Sequence, residues 1–326
     1  MARRSKSSVG VIGLGIIGIR VVSNLREAGY DVWLWNRSPR TEPNFLSSPR
    51  DVAESATVIE FFVSDGAALL EAIENMALSL TPNHLLINHA TILPEESREA
   101  ARRVQQVGAK FLDAPFTGSR DAAAKGELVF YVGGDATAIE EALPILRVSA
   151  KEILPMGKVG DASAIKIATN MITGSIVQSL AEALAIVDRE GVPHEKFMEA
   201  LASNASRSTT SDMKLTCMVM GDFQTRFSLK HMLKDAQLSL RLAENHQLEL
   251  PLASAIAASA MSGVQRGWGE DDLSSLARHY DLPGEKAVNM EPKEVTSLPP
   301  IPSNGAAASP TSAEKRGILQ SFFGKK

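Results

Sequence analysis

The apolar residues of this chain follow one period in its first half and another in its second half. In the first half, short apolar runs typical of buried strands alternate with segments in which apolar residues recur every three or four positions, as on one face of a helix. After Asp161 the strand-like runs stop and only the helical period continues. This order predicts an α/β domain with a doubly wound, mostly parallel sheet, followed by an all-α domain.

The short runs place the strands, and the segments between them place the helices. Predicted strands cover residues 8–14, 31–35, 56–63, 84–87 and 111–112, with 128–132 and 152–154 added to the sheet. Predicted helices follow the first and third strands, and further helices cover 94–107 and 136–146. The second half predicts helices at 162–190, 193–204, 208–220, 228–248, 251–266 and 270–279.

A glycine motif joins the first strand to the first helix. The spacing G-x-G-x-x-G, set between a strand and a helix and followed by a second strand, is the pattern that binds a dinucleotide, because the pyrophosphate rests on the helix N-terminus. The predicted contacts are Gly13, Leu14, Gly15, Ile16, Ile17 and Gly18. We therefore expect an N-terminal arm at 1–7, a Rossmann domain at 8–160, an all-α substrate and dimerisation domain at 161–284, and a disordered tail at 285–326.

The end of the second strand predicts which dinucleotide is bound. An NAD site places Asp or Glu about 20 residues after the motif, to bind the ribose 2′-hydroxyl. Here the chain has Asn36, Arg37 and Ser38 instead, with Arg40 as a further cation. A guanidinium binds a 2′-phosphate in a bidentate manner, so the sequence predicts NADP(H) rather than NAD(H).

Polar turns follow several other predicted strands. In a doubly wound sheet, ligands bind at the carboxyl ends of the strands. We therefore expect Val63, Ser64, Asp65 and Thr91 to contact the cofactor, and the turn Thr117, Gly118 and Ser119 to contact the substrate.

A long helix without proline begins near Asp161 and joins the two predicted domains. We predict that Asp161 is its N-cap, because the carboxylate can accept from the first free N–H groups. Lys166 and Asn170 are four residues apart and share one face of this helix. Because the chain offers the helix few apolar partners, we expect a second subunit to cover it in a homodimer or a larger homo-oligomer.

Composition narrows the possible partners. The 326 residues carry a net charge of −4, which gives no electrostatic basis for nucleic acid or an anionic membrane. The basic first residues lead into no apolar segment of a signal peptide, and no uncharged apolar run reaches about 18 residues. A single cysteine and six scattered histidines predict no metal site and no internal disulfide. We expect a cytoplasmic protein.

Several motifs, taken together and in order, resemble the β-hydroxyacid dehydrogenase family over about residues 8–285. GLGIIG resembles its cofactor motif, and Asn36-Arg37-Ser38 resembles the Asn-Arg-Thr of members that use NADPH. DAPFTGS resembles the substrate-anchoring turn Asp-Ala-Pro-Val-Ser-Gly-Gly, with Ser119 replacing the last glycine. Residues 88–94 correspond to the family motif Asp-x-Ser-Thr-x-x-Pro. Only Thr91 and Pro94 match it, because Asn88 and Ala90 stand where the motif has Asp and Ser.

The resemblance also assigns roles in the second half. GKVGDASAIKIATN is similar to the motif G-x-x-G-x-x-x-x-x-K-x-x-x-N, which implies that Lys166 is the catalytic lysine and Asn170 its substrate-binding partner. Phe227 and Lys234-Asp235 match a later signature whose lysine contacts both cofactor and substrate. The family includes 3-hydroxyisobutyrate dehydrogenases and tartronate semialdehyde reductases, and the resemblance is closest to glyoxylate and succinic semialdehyde reductases. It implies hydride transfer between NADP(H) and a small aldehyde or hydroxy acid.

Other interpretations remain open at this stage. Imine reductases have a similar architecture but usually carry Asp or Tyr at the position of Lys166. The alternative that is not an enzyme is a scaffold protein that binds NADP without catalysing a reaction. In the tail, the segment 318–326 resembles a degenerate sliding-clamp-binding peptide, although Arg316 stands where that motif has Gln. A disordered end or a short self-docking helix are the alternatives there.

Overall fold

A computed structural model of the chain describes residues 6–282, and within them a mixed eight-stranded sheet forms the first half. The order across the sheet is β2-β1-β3-β4-β5-β7-β6, and β8 pairs with β7. The strands β1 to β5 run parallel, β7 runs antiparallel to β5 and β6, and β8 is parallel to β7. Their bounds are β1 Lys6–Ile12, β2 Tyr30–Trp35, β3 Val58–Phe61, β4 Leu85–Asn88, β5 Lys110–Asp113, β6 Phe116–Thr117, β7 Leu128–Gly133 and β8 Ala150–Gly157.

Helices cover both faces of the sheet and then build the second half alone. Those of the first half are α1 Gly18–Glu27, α2 Pro49–Ser55, α3 Gly66–Met76, α4 Pro94–Gln105, α5 Arg120–Ala124 and α6 Ala136–Leu146. The second half contains α7 Asp161–Arg189, α8 His194–Ala202, α9 Thr209–Met220, α10 Leu229–Asn245 and α11 Pro251–Gln265, with a 3₁₀ helix at Leu273–Tyr280.

The alternation of side chains along the central strands explains the two layers of helices. Successive residues of a strand point to opposite faces, so Leu85 and Ile87 of β4 join the apolar cluster beneath α1 and α6, while Leu86 joins the cluster beneath α2, α3 and α4. A third cluster lies within the helical half, where α7, α9, α10 and the 3₁₀ helix pack together. The predicted doubly wound sheet followed by an all-α region is confirmed.

Local details differ from the sequence predictions. Two short helices, α2 and α5, and the two-residue strand β6 were not predicted because each is too short to show a period. The last helix is 3₁₀ rather than α. The predicted N-cap is wrong: Gly160 occupies that position with a φ of +95°, a left-handed conformation that suits glycine. Asp161 instead accepts the backbone N–H of Lys158.

The helix α7 is the axis of the second half. By length and composition alone it could cross a membrane, with a mean hydropathy of 1.3 over its most apolar window. In this fold its buried positions include Val177, Ala181 and Leu184, which belong to the third cluster. The predicted arm at 1–7 falls largely outside the described residues. The predicted tail at 285–326, with its clamp-like peptide, lies entirely outside them.

Candidate active site

The glycine turn between β1 and α1 has the geometry of a dinucleotide cradle. Gly13 has a φ of +101°, and a Cβ at this position would collide with the carbonyl oxygen of Phe62. A Cβ on Gly18 would collide with the carbonyl oxygen of Gly13, so this glycine lets α1 start close to the turn. A Cβ on Gly15 would meet no atom within 4 Å, which leaves its face open for a pyrophosphate to approach. The turn therefore fits the predicted cofactor.

The residues of the glycine turn differ in exposure, and a hydrogen bond ties the turn to the end of β2. Leu14 is 5% exposed, Ile17 is partly buried against the first apolar cluster, and Ile16 is 42% exposed, so Ile16 offers the most accessible side chain there. The backbone N–H of Leu14 donates to Asn36 Oδ1 at 2.9 Å, and Asn36 Nδ2 donates to the carbonyl of Ser38 at 2.8 Å. Asn36, one of the residues that predict NADP(H), thus holds the glycine turn against the end of β2. The side chains of Arg37 and Ser38 are exposed beside it.

The turn after β3 adds a charged group to this edge of the sheet. Asp65 caps α3 by accepting from the N–H of Ala68 at 2.9 Å, and it also accepts from the hydroxyl of Ser64 at 2.7 Å. Burial acts to raise the pKa of Asp65, but these hydrogen bonds and the charges of Lys234 and Arg37 lower it overall. Arg37 and Lys234 therefore both lie close enough to Asp65 to influence its carboxylate.

A cleft of about 510 Å³ separates the sheet edge from α10. Its walls include Asp65, Thr91 and Lys234 from the predicted set, and Glu96 and Arg241, which the sequence did not single out. The Lys234 ammonium donates to the carbonyl of Thr91 at 2.6 Å, so this bond links the helical half to the turn after β4.

The predicted catalytic residues are buried and do not line this cleft, but Asp235 links Asn170 to Lys234 in its wall. Lys166 and Asn170 on α7 are 8% and 7% exposed. Asn170 Nδ2 donates to Asp235 Oδ2 on α10 at 2.6 Å, and Lys234 Nζ lies 2.9 Å from Asp235 Oδ1. Burial lowers the pKa of Lys166 to about 8, Asp235 opposes the shift and Lys234 adds to it. An amine with this pKa exchanges a proton readily near neutral pH.

Asp113 at the end of β5 holds the start of α7 in place. Its carboxylate accepts from the N–H groups of Gly160 and Ser163 at 3.1 and 2.9 Å, and from the Ser163 hydroxyl at 2.9 Å. Burial raises the pKa of Asp113. Sequence reasoning did not assign this role to Asp113, because its partners lie about fifty residues away. The bonds fix the helix that carries Lys166 to the sheet.

The predicted substrate turn, which comprises Thr117, Gly118 and Ser119, begins four residues after Asp113. Thr117 and Gly118 are exposed at its tip. Ser119 accepts the N–H of Ala122 at 3.2 Å and so caps α5. No hydrogen bond among the described residues joins this turn to Lys166 or Asn170, but Asp113 anchors the base of the turn and the start of α7 together. Within residues 6–282, no group of three or more His, Cys, Asp or Glu side chains is placed to hold a metal ion.

Comparison with known proteins agrees with this geometry. The NAD-binding domain of 6-phosphogluconate dehydrogenase matches residues 8–157, and the NAD-binding domain of NADP-dependent 3-hydroxyisobutyrate dehydrogenase matches residues 160–280. Glyoxylate/succinic semialdehyde reductase 2, chloroplastic, of Arabidopsis thaliana is 30% identical over 82% of this chain and 78% of that protein. The chain belongs to the β-hydroxyacid dehydrogenase family. It is thus an oxidoreductase of the type that acts on CH–OH groups with a nicotinamide dinucleotide.

Two further likenesses concern length and fold. The chain is 28% identical to the cytokine-like nuclear factor N-PAC of Anopheles gambiae over 84% of this chain, but it spans only 50% of that protein. A solved structure of 3-hydroxyisobutyrate dehydrogenase from Salmonella typhimurium superposes with a TM-score of 0.76 at 24% identity, over 84% of this chain and 100% of that one. At that identity the likeness supports the dehydrogenase fold alone.

Proposed function

We propose that this dehydrogenase interconverts a small aldehyde or keto acid, such as glyoxylate or succinic semialdehyde, with its hydroxy acid, using NADP(H). The observation that carries the proposal is the buried lysine of α7, whose pKa lies near 8 beside the Asp235–Asn170 contact. When bound, NADPH supplies the hydride. The protein must supply the proton and a positive charge, and Lys166 can supply both.

The roles of the remaining residues follow from their placement. Reduction of a carbonyl leaves negative charge on its oxygen, which the protonated Lys166 stabilises before it donates its proton. Asn170 uses one amide hydrogen on Asp235. Its other amide hydrogen can bind the substrate oxygen or carboxylate. In the reverse direction, neutral Lys166 accepts the hydroxyl proton, a form that burial and the charge of Lys234 favour.

The preference for NADP(H) rests on the end of β2. Arg37 and Ser38 are exposed there, whereas an NAD site would place a carboxylate to bind the ribose 2′-hydroxyl. The influence of Arg37 on Asp65 indicates that the guanidinium lies at the same edge of the sheet as the glycine turn. A 2′-phosphate bound to Arg37 would therefore belong to the dinucleotide held by Gly13, Gly15 and Gly18.

The substrate class rests on the exposed turn and on the named relative. Thr117 offers a hydroxyl and Gly118 an accessible backbone, which are suitable groups for a carboxylate. The reductase of Arabidopsis thaliana named above, at 30% identity, points to glyoxylate and succinic semialdehyde as the first substrates to examine.

The test is a panel of small aldehydes and hydroxy acids, assayed with NADPH or NADP⁺ and followed by absorbance of the reduced nicotinamide. We expect turnover of at least one carboxylate-bearing aldehyde. Turnover of cyclic imines in its place would favour the imine-reductase interpretation. Tight NADPH binding with no turnover on the whole panel would favour a non-catalytic scaffold.

We further propose that the protein acts as a homodimer. The α7 face opposite the catalytic lysine carries Ile172 at 55% and Ile186 at 67% exposure, fourteen residues apart and so on one stripe of the helix. A second copy of the chain covering this stripe would remove it from water. The protein is proposed to reside in the cytoplasm.

A further inference from the structure

A buried carboxylate and imidazole pair lies beneath the turns of the candidate site. His89, one residue beyond β4, has its Nε2 3.2 Å from Oε1 of Glu60 on β3. Its Nδ1 lies 2.7 Å from the carbonyl oxygen of Ala114, one residue beyond β5. The side chains of His89 and Glu60 are 0% and 2% exposed. A glutamate this deeply buried needs a partner, and the imidazole is the one that the structure supplies.

These two contacts determine the positions of the protons. A carbonyl oxygen only accepts, so Nδ1 of His89 carries a hydrogen and donates it to Ala114. Nε2 and the Glu60 oxygen are within hydrogen-bond distance, so one proton lies between them, on the ring or on the carboxyl group. A flipped ring would put carbon atoms at both contacts. The pair therefore holds the imidazole in one orientation.

Two aromatic rings pack against the same imidazole. The Phe62 ring stacks on His89 with the centroids 4.4 Å apart and the planes at 20°, and the Phe130 ring lies 5.1 Å away at a tilt of 52°. The backbone of Phe62 is also the one against which Gly13 packs in the glycine turn. The imidazole therefore contacts Phe62, the residue against whose backbone the glycine turn packs.

The pair connects three strand ends at the point where their turns leave the sheet. The last ladder bonds here are His89 N–H to the Phe61 carbonyl at 2.9 Å and Ala114 N–H to the Asn88 carbonyl at 2.7 Å. Beyond them, one turn leads to Thr91, whose carbonyl holds Lys234. The other turn leads from Ala114 to Thr117.

We propose that Glu60 and His89 are positioning residues that fix the spacing between the cofactor turn at 88–94 and the substrate turn at 114–119. Both side chains are buried, and the pair acts through Ala114 and through the backbone that leads to Thr91. The part concerning substrate rests on the proposed function, whereas the part concerning the cofactor turn needs only nicotinamide-dinucleotide binding.

Three variants separate hydrogen bonding from packing. His89→Phe keeps a ring to stack on Phe62 but loses both hydrogen bonds. Glu60→Met keeps the length of the side chain but leaves Nε2 without its partner, while Glu60→Gln can still donate to Nε2 from its amide. Each full-length variant is characterised by its melting temperature, by NADPH titration through protein fluorescence, and by kcat and KM on the best aldehyde of the panel.

We expect Glu60→Gln to behave as the wild type, and we expect His89→Phe and Glu60→Met to raise the Kd for NADPH and the KM for the aldehyde by about tenfold, because small displacements at a site are costly. Loss of folded protein alone would lower kcat and leave KM and Kd unchanged. Unchanged Kd and KM in both variants would overturn the proposal.

A spectroscopic measurement on the wild type keeps the proposal testable where a variant fails to fold. In ¹⁵N-labelled protein, the resonance missing from His89→Phe is that of His89, and it must show a protonated Nδ1. An unprotonated Nδ1 would overturn the assignment. If the wild type turns over no compound of the panel, the proposed function is refuted. The positioning role of Glu60 and His89 is still tested in that case, by the NADPH titration and by the spectrum.

Discussion

Asn170 on α7 and Asp235 on α10 are joined by a hydrogen bond of 2.6 Å between two buried side chains. This bond fixes the third turn of the joining helix against α10. Lys234, the residue before Asp235, bonds to the turn after β4. The carboxylate of Asp235 also raises the pKa of Lys166 against the effect of burial. One carboxylate thus holds the proposed substrate-binding amide of Asn170 and favours the protonated form of Lys166.

The pH dependence of the reaction follows from the pKa of Lys166, which burial lowers to about 8. Reduction needs the protonated amine, so kcat/KM for the aldehyde should fall as the pH rises through about 8. Oxidation needs the neutral amine, so kcat/KM for the hydroxy acid should rise over the same range. Asp235→Asn removes an effect that raises this pKa, and we expect both profiles to move to lower pH by on the order of one unit.

The control for this shift is Glu199→Gln, which removes an exposed carboxylate paired with Lys196 on α8. Its profiles should match those of the wild type. If Asp235→Asn leaves both midpoints in place, Asp235 does not influence the group that titrates in catalysis.

Arg37 should determine the preference for NADPH. Loss of a bidentate contact to a 2′-phosphate removes a charge-assisted interaction, so Arg37→Ala should weaken NADPH binding by at least about tenfold and leave NADH binding nearly unchanged. Arg40→Ala serves as the matched control and should have a smaller effect. Fluorescence titration with both nucleotides measures this, and an equal loss for NADPH and NADH would contradict the assignment.

Asp113 should contribute more to stability than an ordinary helix cap. Asp113→Ala leaves two buried N–H groups and the Ser163 hydroxyl without their acceptor, at a cost of about 3 kcal/mol in the free energy of unfolding. Ser48→Ala, which removes the cap of α2, should cost about 1 kcal/mol. Urea unfolding compares the two variants. A loss in Asp113→Ala no larger than that in Ser48→Ala would mean that the start of α7 is held by other contacts.

The proposed dimer is tested by charge on the exposed stripe of α7. Light scattering should give the mass of two chains for the wild type and of one chain for Ile186→Glu, because a buried unpaired carboxylate is costly. Leu78→Glu is the control, since Leu78 is 87% exposed and follows α3 in the first half, outside the stripe on α7. A wild-type protein that scatters as a single chain would refute the dimer.

Sequence patterns predicted the features that are encoded within one element or one turn. The spacing of Gly13, Gly15 and Gly18 between a strand and a helix was sufficient to predict the cradle. The interval between Lys166 and Asn170 was sufficient to place both on one helical face. In each case the residues that must cooperate are a few positions apart, so their relative geometry follows from local structure.

Features that depend on distant partners were not predictable in the same way. Asp113 and Ser163 meet only because α7 returns to the end of β5, and Glu60 and His89 meet only because β3 and β4 are neighbours in register. The sequence placed a cap at Asp161 from its residue type alone. The Asp113 carboxylate already accepts the Ser163 N–H that such a cap would serve, and the Ala164 N–H donates to the carbonyl of Gly160. Tertiary contact overrode a local preference there.

The central claim is that the ammonium group of Lys166 donates the proton in carbonyl reduction, and Lys166→Met tests it most directly. Methionine keeps the length and the apolar stem in a buried position, and Lys158→Met, in an exposed lysine just before α7, is the matched control. The account predicts that kcat for aldehyde reduction falls by about 10³-fold in Lys166→Met, while the Kd for NADPH and the activity of Lys158→Met stay close to those of the wild type. Turnover by Lys166→Met at the wild-type rate would contradict it.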